Sequence, residues 1–78
     1  MLLEISTGII VDPDIKGSKP VIKGTRIPVS LVLDKLSLGV SFEELINEYG
    51  LEKEQILNTI KYAAKLISEE EIKAVPLL

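Results

Sequence analysis

The alternation of apolar and polar positions changes character near residue 28. Before it, β-branched residues cluster as Ile5, Ile9-Ile10-Val11 and Val21-Ile22 between turn formers, the pattern of short strands. Asp12-Pro13-Asp14 and Lys16-Gly17-Ser18 punctuate this arm, and Gly24 closes the last apolar pair. Pro28 cannot donate to a ladder, so any sheet here is small and has open edges. After Pro28 the period becomes helical: Val29, Val32, Leu33 and Leu36 share a face, and Gly39 stands where a glycine stops a helix. Helix one is therefore predicted over 29–38. Leu31 and Leu38 lie off that face, so burial on more than one side is expected.

Ser41-Phe42-Glu43-Glu44 reads as a capping box, with Val40 and Leu45 as the hydrophobic staple. Helix two is predicted from Phe42 to about Tyr49, ending at Gly50. A longer helix three starts near Glu52 or Lys53. Ile56, Ile60, Ala63, Ala64 and Ile67 mark the face expected to be buried, and Glu54, Asn58, Lys61 and Lys65 the opposite one. The pattern leaves open whether this helix breaks at Ser68, where Ser68-Glu69-Glu70-Glu71 is itself a capping signal, or runs on to Lys73. Pro76 ends any helix by Val75.

The fold class expected is mainly α with a short N-terminal β arm, a three-helix helix-turn-helix bundle. A chain of 78 residues, 46 % hydrophobic and 27 % charged, holds one domain. It divides into an arm and turn (1–28), three helices (29–68) and an acidic, apolar tail (69–78). Cysteine and histidine are both absent, which excludes disulfides, thiolate or imidazole zinc sites, cysteine nucleophiles and histidine triads. Asp12 and Asp14 share a turn without a third ligand, too little for a hard cation. No pairing of the remaining carboxylates, lysines or hydroxyls suggests a catalytic centre, so a non-enzyme without metal, cofactor or small-molecule substrate is expected. Met1-Leu2-Leu3 is followed by Glu4, and no apolar run has transmembrane length, so a cytoplasmic protein is expected. Chains this short commonly need a disulfide, a metal or a partner subunit. A homodimer through the β arm and helix one is the remaining route.

Charge separates the two halves. Residues 1–40 carry five basic and four acidic groups, residues 41–78 four basic and eight acidic, for a net charge of −3. Such a balance argues against coating nucleic acid by charge alone. Three helices with a short middle one and a glycine turn nevertheless match a helix-turn-helix unit. On that arrangement Lys53, Glu54, Gln55 and Asn58 reach base edges, and Lys61 lies nearer the phosphates of a double-stranded operator. The other reading is a solvated polar face: Glu52 and Glu54 against Lys53 repel phosphate at the helix start.

Lys19-Pro20-Val21-Ile22-Lys23-Gly24-Thr25-Arg26-Ile27-Pro28-Val29 is flanked by Ile9-Ile10-Val11-Asp12-Pro13 and by Leu38-Gly39-Val40-Ser41-Phe42-Glu43-Glu44-Leu45. Together these strings resemble the small prokaryotic family called domain of unknown function 433, over roughly residues 5–65. The departures are Glu52 where members more often have a Ser or Thr cap, Ser18 near a usually Gly-rich position, and the acidic tail. The resemblance implies a homeodomain-like helix-turn-helix behind a β arm, and an antitoxin-like role: repressing an operon and neutralising a PIN-like ribonuclease toxin. The rival reading is a protein-interaction or inhibitor module that keeps the fold and no longer reads DNA.

Within the shared motif, Gly24 permits a positive φ, Thr25 can hydrogen-bond the following backbone, and Pro28 presets the first turn of helix one. Arg26 either clamps a partner's phosphate or carboxylate, or pairs internally with an acidic residue. In the tail, Glu69, Glu70, Glu71, Ile72 and Leu77 combine acidic and apolar groups suited to docking on a basic toxin groove. The bland alternative is a loose chain end.

Overall fold

The computed structural model describes residues 1–15 and 17–69. Three strands, β1 (Leu3–Ser6), β2 (Ile9–Val11) and β3 (Val21–Ile22), precede three helices, α1 (Val29–Ser37), α2 (Phe42–Tyr49) and α3 (Lys53–Glu69). The protein is thus mainly helical with a short N-terminal β-sheet, as the change of period predicts.

The strands form one antiparallel sheet in the order β1-β2-β3. Between β1 and β2 the chain reverses through Thr7-Gly8, and Gly8 takes a φ of +74°, a region that strains any residue with a Cβ. The β1–β2 register slips between Glu4 and Ser6. Ile9 pairs with Ile22 and Ile10 with Val21, so alternation along the strands puts the first pair on one face and the second on the other. Ile9 and Ile22 are buried against the helices. The Lys23 ammonium lies 2.9 Å from the Glu4 carboxylate and joins the segments on either side of β2.

Each helix boundary has a local cause. Pro28 sits one residue ahead of α1 in an extended conformation, φ −66° and ψ 141°, and bridges Val21. It closes the arm rather than forming the first helical turn. At the far end α1 stops at Ser37, and Gly39 (φ +87°) lets Val40 N–H return to the Lys35 carbonyl at 3.1 Å. The Ser41 hydroxyl accepts the Glu44 N–H at 3.1 Å, while Gly50 in the left-handed region ends α2. At the start of α3, the Gln55 side-chain oxygen accepts the Glu52 N–H at 2.8 Å, the reaching-back half of a capping box. Ser68 does not break α3, which continues to Glu69 at the limit of the described residues. The Ser68 hydroxyl instead donates to the Lys65 carbonyl.

The core among the described residues comprises Ile9, Ile22, Val29, Val32, Leu45, Leu51 and Ile56, with Leu33, Leu36, Val40, Phe42, Ile46, Tyr49 and Tyr62 packed around it. Leu38 does not join it and is 74 % exposed. Thr59 is completely buried, and its hydroxyl donates to the Gln55 carbonyl at 3.0 Å. Two substitutions on neighbouring turns of α3 should therefore behave differently. Ile56→Ala removes fully packed carbons and should cost about 2–5 kcal/mol. Thr59→Val keeps the shape and leaves the Gln55 carbonyl within the helix ladder, so its change should stay below about 1 kcal/mol. Urea unfolding followed by circular dichroism measures both.

Candidate functional site

The face of α3 that the apolar spacing marks as buried packs only in part, at Ile56 and Ala63. Ile56 and Thr59 are buried, and Gln55, Asn58, Tyr62 and Ala63 are half-buried beside them, whereas Leu57, Ile60, Ala64 and Ile67 are exposed. The expected burial of Ile60 and Ile67 is therefore overturned. Its cause is that α3 packs against α1, α2 and β2 at once, and these contacts rotate its inward face toward Thr59. Residues 57, 60, 64 and 67 recur at helical spacing and leave an apolar stripe on the outside. The ammonium-bearing Lys53 and Lys61, each four residues from Leu57, lie along the same stripe. Neither is in an ion pair among the described residues.

The five residues expected to contact DNA thus separate into three that are exposed, Glu54 among them, and two that are engaged within the protein. Lys53 and Lys61 are exposed. Gln55 spends its side-chain oxygen on the Glu52 N–H. Asn58 faces the β1–β2 turn: a Cβ built on Gly8 would stand 2.9 Å from its Nδ2. The arm therefore rests on the part of α3 from which Asn58 was expected to reach outward. Sequence reasoning missed both Gly8 and the exposed stripe. The usable signals were a glycine before a β-branched run and an excess of apolar residues around α3, more than one buried face requires.

In the motif, Gly24 has a φ of +80°, and the Thr25 hydroxyl donates to the Ile22 carbonyl at 2.7 Å while accepting the Ile27 N–H at 3.0 Å. These contacts shape the turn that returns the chain to Pro28. Arg26 is exposed, and no internal ion pair holds it among the described residues. Lys23 takes Glu4 instead. Asp12 and Asp14 also have partners: the Asp12 carboxylate accepts the Asp14 N–H, and Asp14 lies 2.8 Å from the Met1 amine. On the tail, Glu69 is the last residue of α3; Glu70, Glu71, Ile72 and Leu77 lie outside the described residues.

No described helix is long and apolar enough to cross a membrane, and the described residues hold no group of three or more acidic side chains arranged for a metal ion. What the elements define is a helical trio docked on a small β arm. By comparison with family models, residues 9–63 match the family described as protein of unknown function, DUF433. The match covers more than half of the chain, and the protein belongs to this family. Comparisons with curated proteins and with solved structures gave no match.

Two measurements check the geometry of the arm. Gly8→Ala forces a side chain into a left-handed backbone and should cost about 1–2 kcal/mol, seen as a lower urea midpoint. Glu4 is held below its ordinary value of 4.5 by the Lys23 hydrogen bond first, then by the Gly8 N–H and the Lys23 charge. Its pairing thus supports the fold above the ordinary carboxylate range and is lost as pH falls through the lowered value. In an NMR pH titration, Lys23→Ala should move the Glu4 midpoint up toward 4.5.

Proposed function

We propose that this protein is a non-catalytic protein-interaction module whose principal contact surface is the outer face of α3. The observation that carries this reading is the exposed stripe Leu57, Ile60, Ala64 and Ile67, in a chain whose Gln55 and Asn58 are engaged elsewhere. Contiguous exposed apolar side chains with a polar rim mark association surfaces on soluble proteins. Lys53 and Lys61 favour an acidic partner edge. The open edge of β1, with Leu3 and Ile5 exposed, offers a second copy a place to add strands. Helix α1 is less suited to a dimer contact than its sequence implies, because Val29 and Val32 are consumed in the core of their own chain. The antitoxin-like role implied by the family resemblance is one form of this activity, with a PIN-like ribonuclease as the partner.

Operator binding is the second reading. It is favoured by the left-handed Gly50 between α2 and α3 and by the exposed Lys53 and Lys61, features that suit a helix-turn-helix with phosphate contacts.

Both readings are tested with the full chain, co-expressed with the product of the neighbouring gene. The interaction reading expects copurification and, by light scattering, a mass above that of one chain. Leu57→Glu with Ile60→Glu should abolish copurification while the helical circular dichroism stays unchanged. Retained copurification in this variant overturns the assignment to α3. A salt-sensitive, sequence-dependent gel shift with promoter DNA, lost in Lys53→Ala with Lys61→Ala, establishes the second reading instead.

A further inference from the structure

The face of the sheet turned away from the helices carries the Glu4–Lys23 ion pair and, beside it, apolar residues where an antiparallel sheet open to solvent usually stays polar. Ile10 and Val21, paired across β2 and β3, form the floor of a trough of about 720 Å³, with Leu2 and Ile15 on its sides and Lys19 and Arg26 among its lining residues. The exposure of Leu2 and Ile15, 62 % and 60 %, leaves apolar surface facing solvent on both sides of the floor. Asp12 is the carboxylate in the lining, and its Oδ1 already accepts the Asp14 N–H. Lys23, the remaining cation of this turn, is held by Glu4. Lys19 and Arg26 thus face the trough with no ion pair among the described residues.

We propose that this trough binds an extended segment of a protein partner that places an apolar side chain over Ile10 and Val21 and a carboxylate against Arg26 and Lys19. A mostly apolar concavity with a few convergent polar groups is the usual form of a binding site, and a planar guanidinium suits a carboxylate in bidentate geometry. Charge selects the occupant: Lys19 and Arg26, in no ion pair among the described residues, against the single carboxylate of Asp12 leave the described lining with a net positive charge. This names the chemistry of a partner and rests on the interaction reading above, but it uses a surface built by the arm and not by α3.

The test is an NMR titration of the ¹⁵N-labelled full chain with an end-capped heptapeptide alternating leucine and glutamate, its leucine–lysine counterpart, and decanoate. Saturable shifts are expected at the amides of Val21, Thr25 and Arg26 with the acidic peptide, and much weaker binding of the lysine peptide. Arg26→Ala should weaken the acidic peptide by about fivefold, the scale of one exposed charge pair, without changing the mass measured by light scattering. The proposal is overturned by the absence of saturable shifts up to millimolar peptide, by shifts confined to α3, or by equal binding of both peptides. Decanoate binding as tightly as the acidic peptide also overturns it, by making the trough a site for free amphipathic carboxylates. Failure here with copurification intact removes the trough alone; retained copurification in the α3 variant with the titration intact favours the trough as the contact surface.

Discussion

The rest of the structure depends on one hydrophobic contact, that of the Ile9–Ile22 pair with the helices. A sheet with strands of four, three and two residues has too few ladder bonds to stand alone in water. Its stability comes from burying both isoleucines against the cluster that includes Val32, Leu45 and Ile56. The helices need the contact equally, since without it the inner faces of α1 and α3 would expose Val29, Val32 and Ile56. Sheet and helices are therefore parts of one small core.

That contact decides the surface of the molecule as well. Docking β2 against α3 brings the Gly8 turn onto Asn58 and turns Thr59 inward, so that Leu57, Ile60 and Ile67 are left outside. Thr59 tolerates this because its hydroxyl has the Gln55 carbonyl within reach, which removes the main cost of burying it. Two other surfaces follow from the sheet being one layer thick: the open edge of β1 and the apolar trough on its far side. A chain with a core this small keeps much of its apolar surface for contacts beyond itself.

Local features were legible where a residue acts on its immediate neighbours. The Ser41–Glu44 box, the glycine stops at Gly39 and Gly50 and the turn from Gly24 to Thr25 each involve groups within a few positions of one another, and sequence spacing alone defines their geometry. Pro28 lies just outside α1, as the predicted range has it, but its bridge to Val21 makes it the end of the arm and not a first-turn residue. The inner face of α3 was less legible: residues 56, 60 and 63 make as regular a helical stripe as 56, 59 and 63. A polar threonine in the buried set and isoleucines in the exposed one invert the usual inference from hydropathy. Gln55 belongs with the caps, and its engagement was readable from its position three residues after Glu52. Asn58 was not, since the turn it meets lies fifty residues earlier in the chain.

The sequence by itself determined the number and type of the elements, their boundaries to within a residue or two, the absence of cysteine and histidine chemistry, and the family. These follow from periodicity, capping and composition, which act over a few residues or over none at all. The tertiary structure alone decided which side of α3 faces inward, which of the five candidate contact residues remain exposed, and that Arg26 lines a trough and closes no ion pair among the described residues. Each of these outcomes depends on how sheet and helices share one core, and short-range pattern carries no information about that rotation.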